Sequence, residues 1–505
     1  MDLPGVQAFY TDGGISENYN TSLPRIVVFG TSSKDSHNGE RIMFNEPYVI
    51  YDSEQLASYF DGALLEAITN TRLGFGSNVN VATIVGVRLG KPNVPTTYTA
   101  KKNATDTEYT GVSVTGTYTG KWNGDIRIYL VDGIYKVSID EGRSYIEEYS
   151  TAKLATGSTV IDIYAFGLKA TITDAAVFAQ GDYAKIAVKY ADVPSTTADY
   201  KAALTEAFLS LGAVSPSYAV FMEKPADEAT GDTDAYIGYT FAKLLEGLST
   251  NYGSVVGFMT VKKPVSITST GIATWKSSLV TFGNTGFYKT GDGTYAGSRV
   301  SDELGVEIDL GKHVVVSGLF SSDGRTLKSM AGYLCGLAAS RTPGSGSLLI
   351  EIPSSARFRS AFALSETDIT DLLAAGIIVP RVAGGTATGP VYEIPDFRTF
   401  ADEASSYSRY DSVAVANYCV DGARTIAKRY IGKPNSLAMR ESMKNEIQKF
   451  LNEAAADGKF AFGVADVKVT EAGGTVGQVE VNMTIRAYME IRAVRIKAVY
   501  GKIAA

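Results

Sequence analysis

At 505 residues the chain is too long for one ordinary hydrophobic core, so about three domains are expected. Hydrophobic residues at 45% and charged residues at 20% exclude wholesale disorder, and a net charge of −7 argues against a general polyanion binder. No stretch approaches the ~18 apolar residues of a membrane-spanning helix; the start, Met1-Asp2-Leu3-Pro4-Gly5, carries no basic or apolar leader, so no membrane crossing by the usual route is expected.

Residues 1–24 hold Gly, Pro, Asn and Ser without periodicity and read as an extended arm. Arg25–Gly30 is a short apolar run closed by glycine, which suits a buried strand. Glu54–Thr69 repeats apolar residues at helical spacing, and Val79–Leu89 is a second strand-like run. The pattern is α/β. Between Lys91-Pro92 and Val193-Pro194 the texture changes to Thr, Tyr, Val and Gly. Six short strands are predicted there: 110–118, 125–131, 135–139, 159–166, 169–173 and 183–190. They read as a β-sandwich or small barrel inserted into the α/β unit.

After Ser195 helices and strands alternate again. Helices are predicted at 199–211, 236–248 and 327–340, and strands at 218–222, 255–261 and 313–319. Gly384–Pro390 is taken as a boundary. Beyond it, Asp402–Tyr430 reads as one or two helices. Asn435-Ser436 caps another, whose stripe is Met443, Ile447, Leu451 and Ala454, and Asp457-Gly458 ends it. A strand at 460–470 and a glycine turn lead to Val479, Val481, Met483 and Ile485, which alternate with Glu480, Asn482, Thr484 and Arg486. A second run, containing Met489, Ile491, Val494 and Ile496, continues to Tyr500; a β-bulge at Ala493-Val494 accounts for one broken step. A long strand near a chain end is an open edge, able to pair with another molecule.

The chemistry is sparse. His37 lies in a polar loop and His313 reads as a strand-edge residue. Cys335 and Cys419 form no C-x-x-C and are expected as buried free thiols in a reducing compartment. No His-based zinc motif or nucleophile elbow is present. Gly305–Lys312 misses the phosphate-loop spacing and has His313 where Ser or Thr is required; Gly291–Gly297 misses the dinucleotide fingerprint by one residue. Asp232-Thr233-Asp234 fits as a helix cap. No catalytic, cofactor-binding or metal site is therefore assigned, and an enzyme is not expected. From Val391 onward there are 16 Lys+Arg and 14 Asp+Glu, a net of +2, against −9 for the remainder. Arg424, Lys428 and Arg429 share a helical face, either a solvated face or a docking strip for an acidic partner. Without interleaved aromatics the strip does not fit nucleic acid.

The layout resembles the tail sheath proteins of contractile phages. The similar pieces are Leu3-Pro4-Gly5-Val6, Ile26-Val27-Val28-Phe29-Gly30-Thr31, Leu364–Asp368 leading to Ala375–Ile378, and above all the segment from Arg424 to Tyr500. The resemblance implies an α+β multidomain fold: an N-terminal linking arm (1–24), a discontinuous α/β outer domain (25–91 and 195–385), an inserted all-β sandwich or barrel (92–194), and a C-terminal helix–helix–β domain (390–505) completed by strands exchanged between subunits. It further implies a structural subunit that polymerises into the helical sheath around a tail tube and contracts to deliver the genome. The implied partners are many copies of itself, the tube protein, and the baseplate and tail terminator proteins, with no nucleic acid and no membrane insertion. The implied location is the virion tail, after assembly in the host cytoplasm. Val6, Val479, Val481, Met483, Ile485, Met489, Ile491, Val494 and Ile496 are the expected linkage positions, and Arg424, Lys428 and Arg429 the expected tube-facing ones. The alternative is a virion decoration or adhesin-like structural protein binding a receptor through the β insertion.

Overall fold

The computed structural model describes residues 24–37, 40–50, 56–76, 82–95, 97–103, 108–173, 179–231, 236–290, 306–321, 327–346, 348–352, 359–360, 364–386, 389–403, 405–458, 466–471 and 479–484. From the amino end come β1 (Arg25–Gly30), β2 (Pro47–Val49), helix α1 (Gly62–Leu73) and β3 (Thr83–Arg88). Eight strands follow: β4 (Tyr98–Lys102), β5 (Glu108–Gly116), β6 (Gly124–Val131), β7 (Ile134–Ser138), β8 (Ile146–Ala152), β9 (Ser158–Ile163), β10 (Leu168–Thr173) and β11 (Tyr183–Val188). Next are α2 (Thr197–Ser210), β12 (Tyr218–Phe221), α3 (Ile237–Asn251), β13 (Val256–Thr260), α4 (Ser269–Thr285), β14 (Val314–Ser317), α5 (Ala331–Ser340), β15 (Leu348–Ile352), α6 (Glu366–Ala374), β16 (Ile377–Ile378), β17 (Arg381–Thr386) and β18 (Gly389–Asp396). The chain closes with α7 (Tyr410–Lys428), α8 (Leu437–Ala456), β19 (Asp466–Glu471) and β20 (Val479–Thr484).

Two compact units share these elements: one of residues 1–28, 67–84 and 214–505, the other of 29–66 and 85–213. The first has an α/β centre. Strands β16, β14, β13 and β12 pair in parallel in that order, with β1 next to β12. Their side chains are almost wholly buried (Val220, Phe221, Phe258, Met259, Val315 and Val316 are 0% exposed), as parallel strands covered on both faces require. A helix the sequence reading missed is α4. Ser, Thr and Gly make up much of its STGIATWKSSLVTFGNT, residues poor in helix propensity. Thr268 caps it, and Trp275, Leu279 and Phe282 on one face anchor it. The expected helix at 327–340 begins only at Ala331, because Leu327–Ser329 pairs as a strand. The expected boundary at Gly384–Pro390 is the end of the β17–β18 hairpin, with Thr386 opposite Gly389.

The second unit is built on one antiparallel sheet in the order β8-β7-β6-β11-β4-β5-β10-β9. Its inward positions, among them Ile126, Ile128, Leu130, Tyr135, Val137, Ile161, Ile163, Ala170, Ile172, Ala184 and Ile186, form a single core. The sheet all but closes on itself. Tyr149 of β8 meets Tyr164, just after β9, edge-on at 5.0 Å, and its hydroxyl accepts the Ala165 N–H at 3.1 Å. Near-closure leaves the sheet little open edge. Two of these strands, β4 and β8, were absent from the sequence reading. Tyr98–Lys102 ends in two lysines, and Ile146–Ala152 carries two adjacent glutamates, so neither run looks apolar. In the same unit His37 is stacked on Tyr59 (centroids 3.7 Å apart) rather than free in solvent.

Candidate assembly surface

The carboxy-terminal elements start from two helices whose ends are set locally. Ser436 accepts the Met439 N–H at 3.3 Å and begins α8; Asp457 ends it, and Gly458 follows with φ of 75°, a conformation that favours glycine. Along α7 the residues Val415, Cys419, Ala423 and Ile426 face Met443, Ile447, Phe450, Leu451 and Ala454 of α8, and Tyr430 extends the same core. The Tyr430 hydroxyl donates to Glu446 at 2.8 Å, fastening the end of α7 to α8. Cys335 and Cys419 are both buried free thiols, and burial drives the Cys335 pKa up, which keeps it protonated and inert.

On this helix pair lies the β19–β20 hairpin. Its register sets Val467 opposite Met483, Val469 opposite Val481 and Glu471 opposite Val479. Val469, Val479, Val481 and Met483 pack on the helix core, while Glu480 and Asn482 are exposed. The alternation read from the sequence therefore has its physical cause in one covered face and one wet face. The predicted strand, glycine turn and second strand form a hairpin within the chain, so one edge of residues 479–484 is taken by β19. Among the described residues no third strand joins either outer edge of this hairpin. Val6, Ile485, Met489, Ile491, Val494 and Ile496 lie outside the described residues.

The basic strip divides. Lys428 and Arg429 are exposed at the end of α7, with Arg429 3.4 Å from Glu446. Arg424 is 3% exposed and does not reach the surface of the chain. It pairs with Asp421 at 2.8 Å and donates to the carbonyls of Ser249 at 2.8 Å and Thr250 at 3.4 Å. Those carbonyls belong to the last turn of α3, where the helix dipole favours a cation. Asp421 in turn accepts the Ser254 N–H at 2.8 Å. Arg424 is thus a buried clamp between α7 and α3, and the expected tube-facing role is withdrawn from it. Helical periodicity placed it beside Lys428; only the fold brings α3 over it.

Beneath α7, His313 is 3% exposed, at the end of a 3-10 turn, beside a cavity of about 10 Å³ lined by Lys312, Tyr407, Val413, Ala416 and Asn417. Burial, reinforced by the Lys312 charge, lowers its pKa to about 3, so it is neutral at pH 7. An open cleft of about 360 Å³ elsewhere in this unit is lined by Val280, Asn284, Asp371, Ala374, Ala375, Asp402 and Glu403, with Arg398 3.2 Å from Glu403. Among the described residues no group of three or more His, Cys, Asp or Glu could hold a metal, and no helix is long and apolar enough to cross a membrane.

No protein-family model and no curated protein matches the chain. Among solved structures it is similar to the helical sheath of the anti-feeding prophage (AFP) in its contracted state, with 12% identity, a TM-score of 0.47, and 99% of each chain covered. It is also similar to a chain of the AFP baseplate, with 13% identity and a TM-score of 0.33 over 62% of this chain and 84% of that one. Both TM-scores fall below one half, so the functional reading rests on the chain's own strands and helices.

Proposed function

We propose that this chain is a non-catalytic structural subunit that polymerises into the helical contractile sheath of a phage-type tail, in the virion. The observation that carries the reading is the β19–β20 hairpin: two strands, apolar toward α7 and α8, with both outer edges unjoined by strands among the described residues. A two-stranded ribbon is marginal alone and gains from added strands. The sequence supplies one more strand-like run at 489–500 and an extended arm at 1–24, the pieces that resemble sheath linkage segments. Each backbone hydrogen bond gained across such an edge contributes roughly 0.5–1.5 kcal/mol net, and a lattice repeats the gain at every subunit. In this reading Val6, Val479, Val481, Met483, Ile485, Met489, Ile491, Val494 and Ile496 link copies. Lys428 and Arg429 face the tube, baseplate and terminator proteins bind the ends, and contraction drives genome delivery. Deletion of residues 479–505 tests it: negative-stain microscopy is expected to show no tubes while the second unit keeps its fold. Tubes formed by the truncated chain would overturn the reading.

A further inference from the structure

The outer face of the eight-stranded sheet carries an arrangement that closing the sheet does not need. On β6, Arg127 and Tyr129 point outward between the buried Ile126, Ile128 and Leu130, and on β11 Tyr183 and Lys185 flank the buried Ala184. Tyr183 lies directly opposite Tyr129, their rings 4.9 Å apart and tilted by 36°. Tyr145 comes from the loop after β7 and meets Tyr129 edge-on at 5.8 Å. Cross-strand tyrosine pairs stabilise sheets in general. The loop, however, is held far more firmly than a surface connection requires. Asp140 accepts from the Ser144 N–H at 2.9 Å and its hydroxyl at 2.6 Å, Ser138 Oγ accepts the Gly142 N–H at 2.7 Å, and the Tyr129 hydroxyl donates to the Glu141 carbonyl at 2.9 Å. Gly142 has φ of 87° and lies over Tyr129, where a Cβ would come within 2.9 Å of the ring. The loop is therefore set before any ligand arrives, which removes an ordering cost from binding.

Charges surround the three rings in compensating pairs. Arg127 sits 5.3 Å over Tyr183 and pairs with Glu141 at 2.8 Å; Lys136 lies 5.5 Å from Tyr145 and pairs with Glu147 at 3.2 Å. Lys185, opposite both Lys101 and Arg127, pairs with Asp125 at 3.1 Å. A charged polymer meets repulsion from one sign or the other on such a surface. Hydroxyl groups do not: they donate to the carboxylates and accept from the guanidinium and ammonium groups. Ring faces next to such donors and acceptors match the apolar face and hydroxyl rim of a pyranose. We infer that the Tyr129–Tyr145–Tyr183 platform of the second unit binds a neutral polysaccharide. The inference stands on this sheet alone and does not depend on the sheath reading.

Native gels cast with graded yeast mannan, dextran or xylan test it on the full chain, with alginate and oligo(dT) gels as polyanionic counterparts. The expected result is retardation by at least one neutral polysaccharide. Tyr145→Ala and Tyr183→Ala are each expected to weaken it about tenfold, with thermal unfolding of Tyr145→Ala unchanged. Three results would overturn the proposal: no retardation in any neutral gel, retardation only by alginate or oligo(dT), or retardation unaffected by both substitutions.

Discussion

The same period-two alternation ends differently in two regions of this molecule. In the second unit eight antiparallel strands curl until β8 and β9 meet through Tyr149 and Tyr164, leaving little edge exposed. In the carboxy-terminal region the described residues make a ribbon of two strands on two helices, with no strand on either outer edge. A sheet that completes itself is a finished fold, whereas a sheet that stops at two strands is a template. In the proposed reading the carboxy-terminal ribbon is the part that self-assembles, and the outer face of the eight-stranded sheet is the part proposed to bind polysaccharide.

The largest expected effect on this contrast is the truncation of residues 479–505, with assembly abolished and the barrel unfolding at its usual temperature. The clamp comes next. Arg424→Ala removes the cation beside the buried Asp421, which keeps only neutral donors such as the Ser254 N–H, and is expected to cost about 3–5 kcal/mol in urea denaturation, with Asp421→Asn in the same chain recovering part of the loss. A third handle is pH. His313 has a folded pKa of about 3 against 6.5 when unfolded, so the unfolded chain binds more protons between these values. Stability is therefore full above pH 6.5 and falls as pH drops from 6.5 toward 3, a slope that His313→Gln is expected to flatten in urea titrations at graded pH. The smallest effect on folding belongs to Lys428→Glu and Arg429→Glu. Both side chains are exposed, so stability shifts by less than about 0.5 kcal/mol, while co-sedimentation with tail tubes weakens and becomes less sensitive to salt.

Much of the carboxy-terminal region was legible because its signals are local. The Ser436 cap, the Asp457-Gly458 stop, the Met443–Ile447–Leu451–Ala454 stripe and the Val479–Val481–Met483 alternation each occupy a few consecutive turns or strand positions. The barrel strands were legible where apolar residues alternate and hidden where Lys101-Lys102 or Glu147-Glu148 interrupt them. The α4 helix was hidden because tertiary burial of Trp275, Leu279 and Phe282 overrides its poor propensity.

By itself the sequence determined caps, periods and the absence of familiar catalytic motifs, since these depend on neighbours within one or two turns. Only the tertiary structure decided that Arg424 is interior, that β20 already has a partner, that His313 is buried, and that Tyr129, Tyr145 and Tyr183 share one face. In each case the decisive neighbour is brought by the fold, and neither charge nor hydropathy at a position encodes which element will cover it.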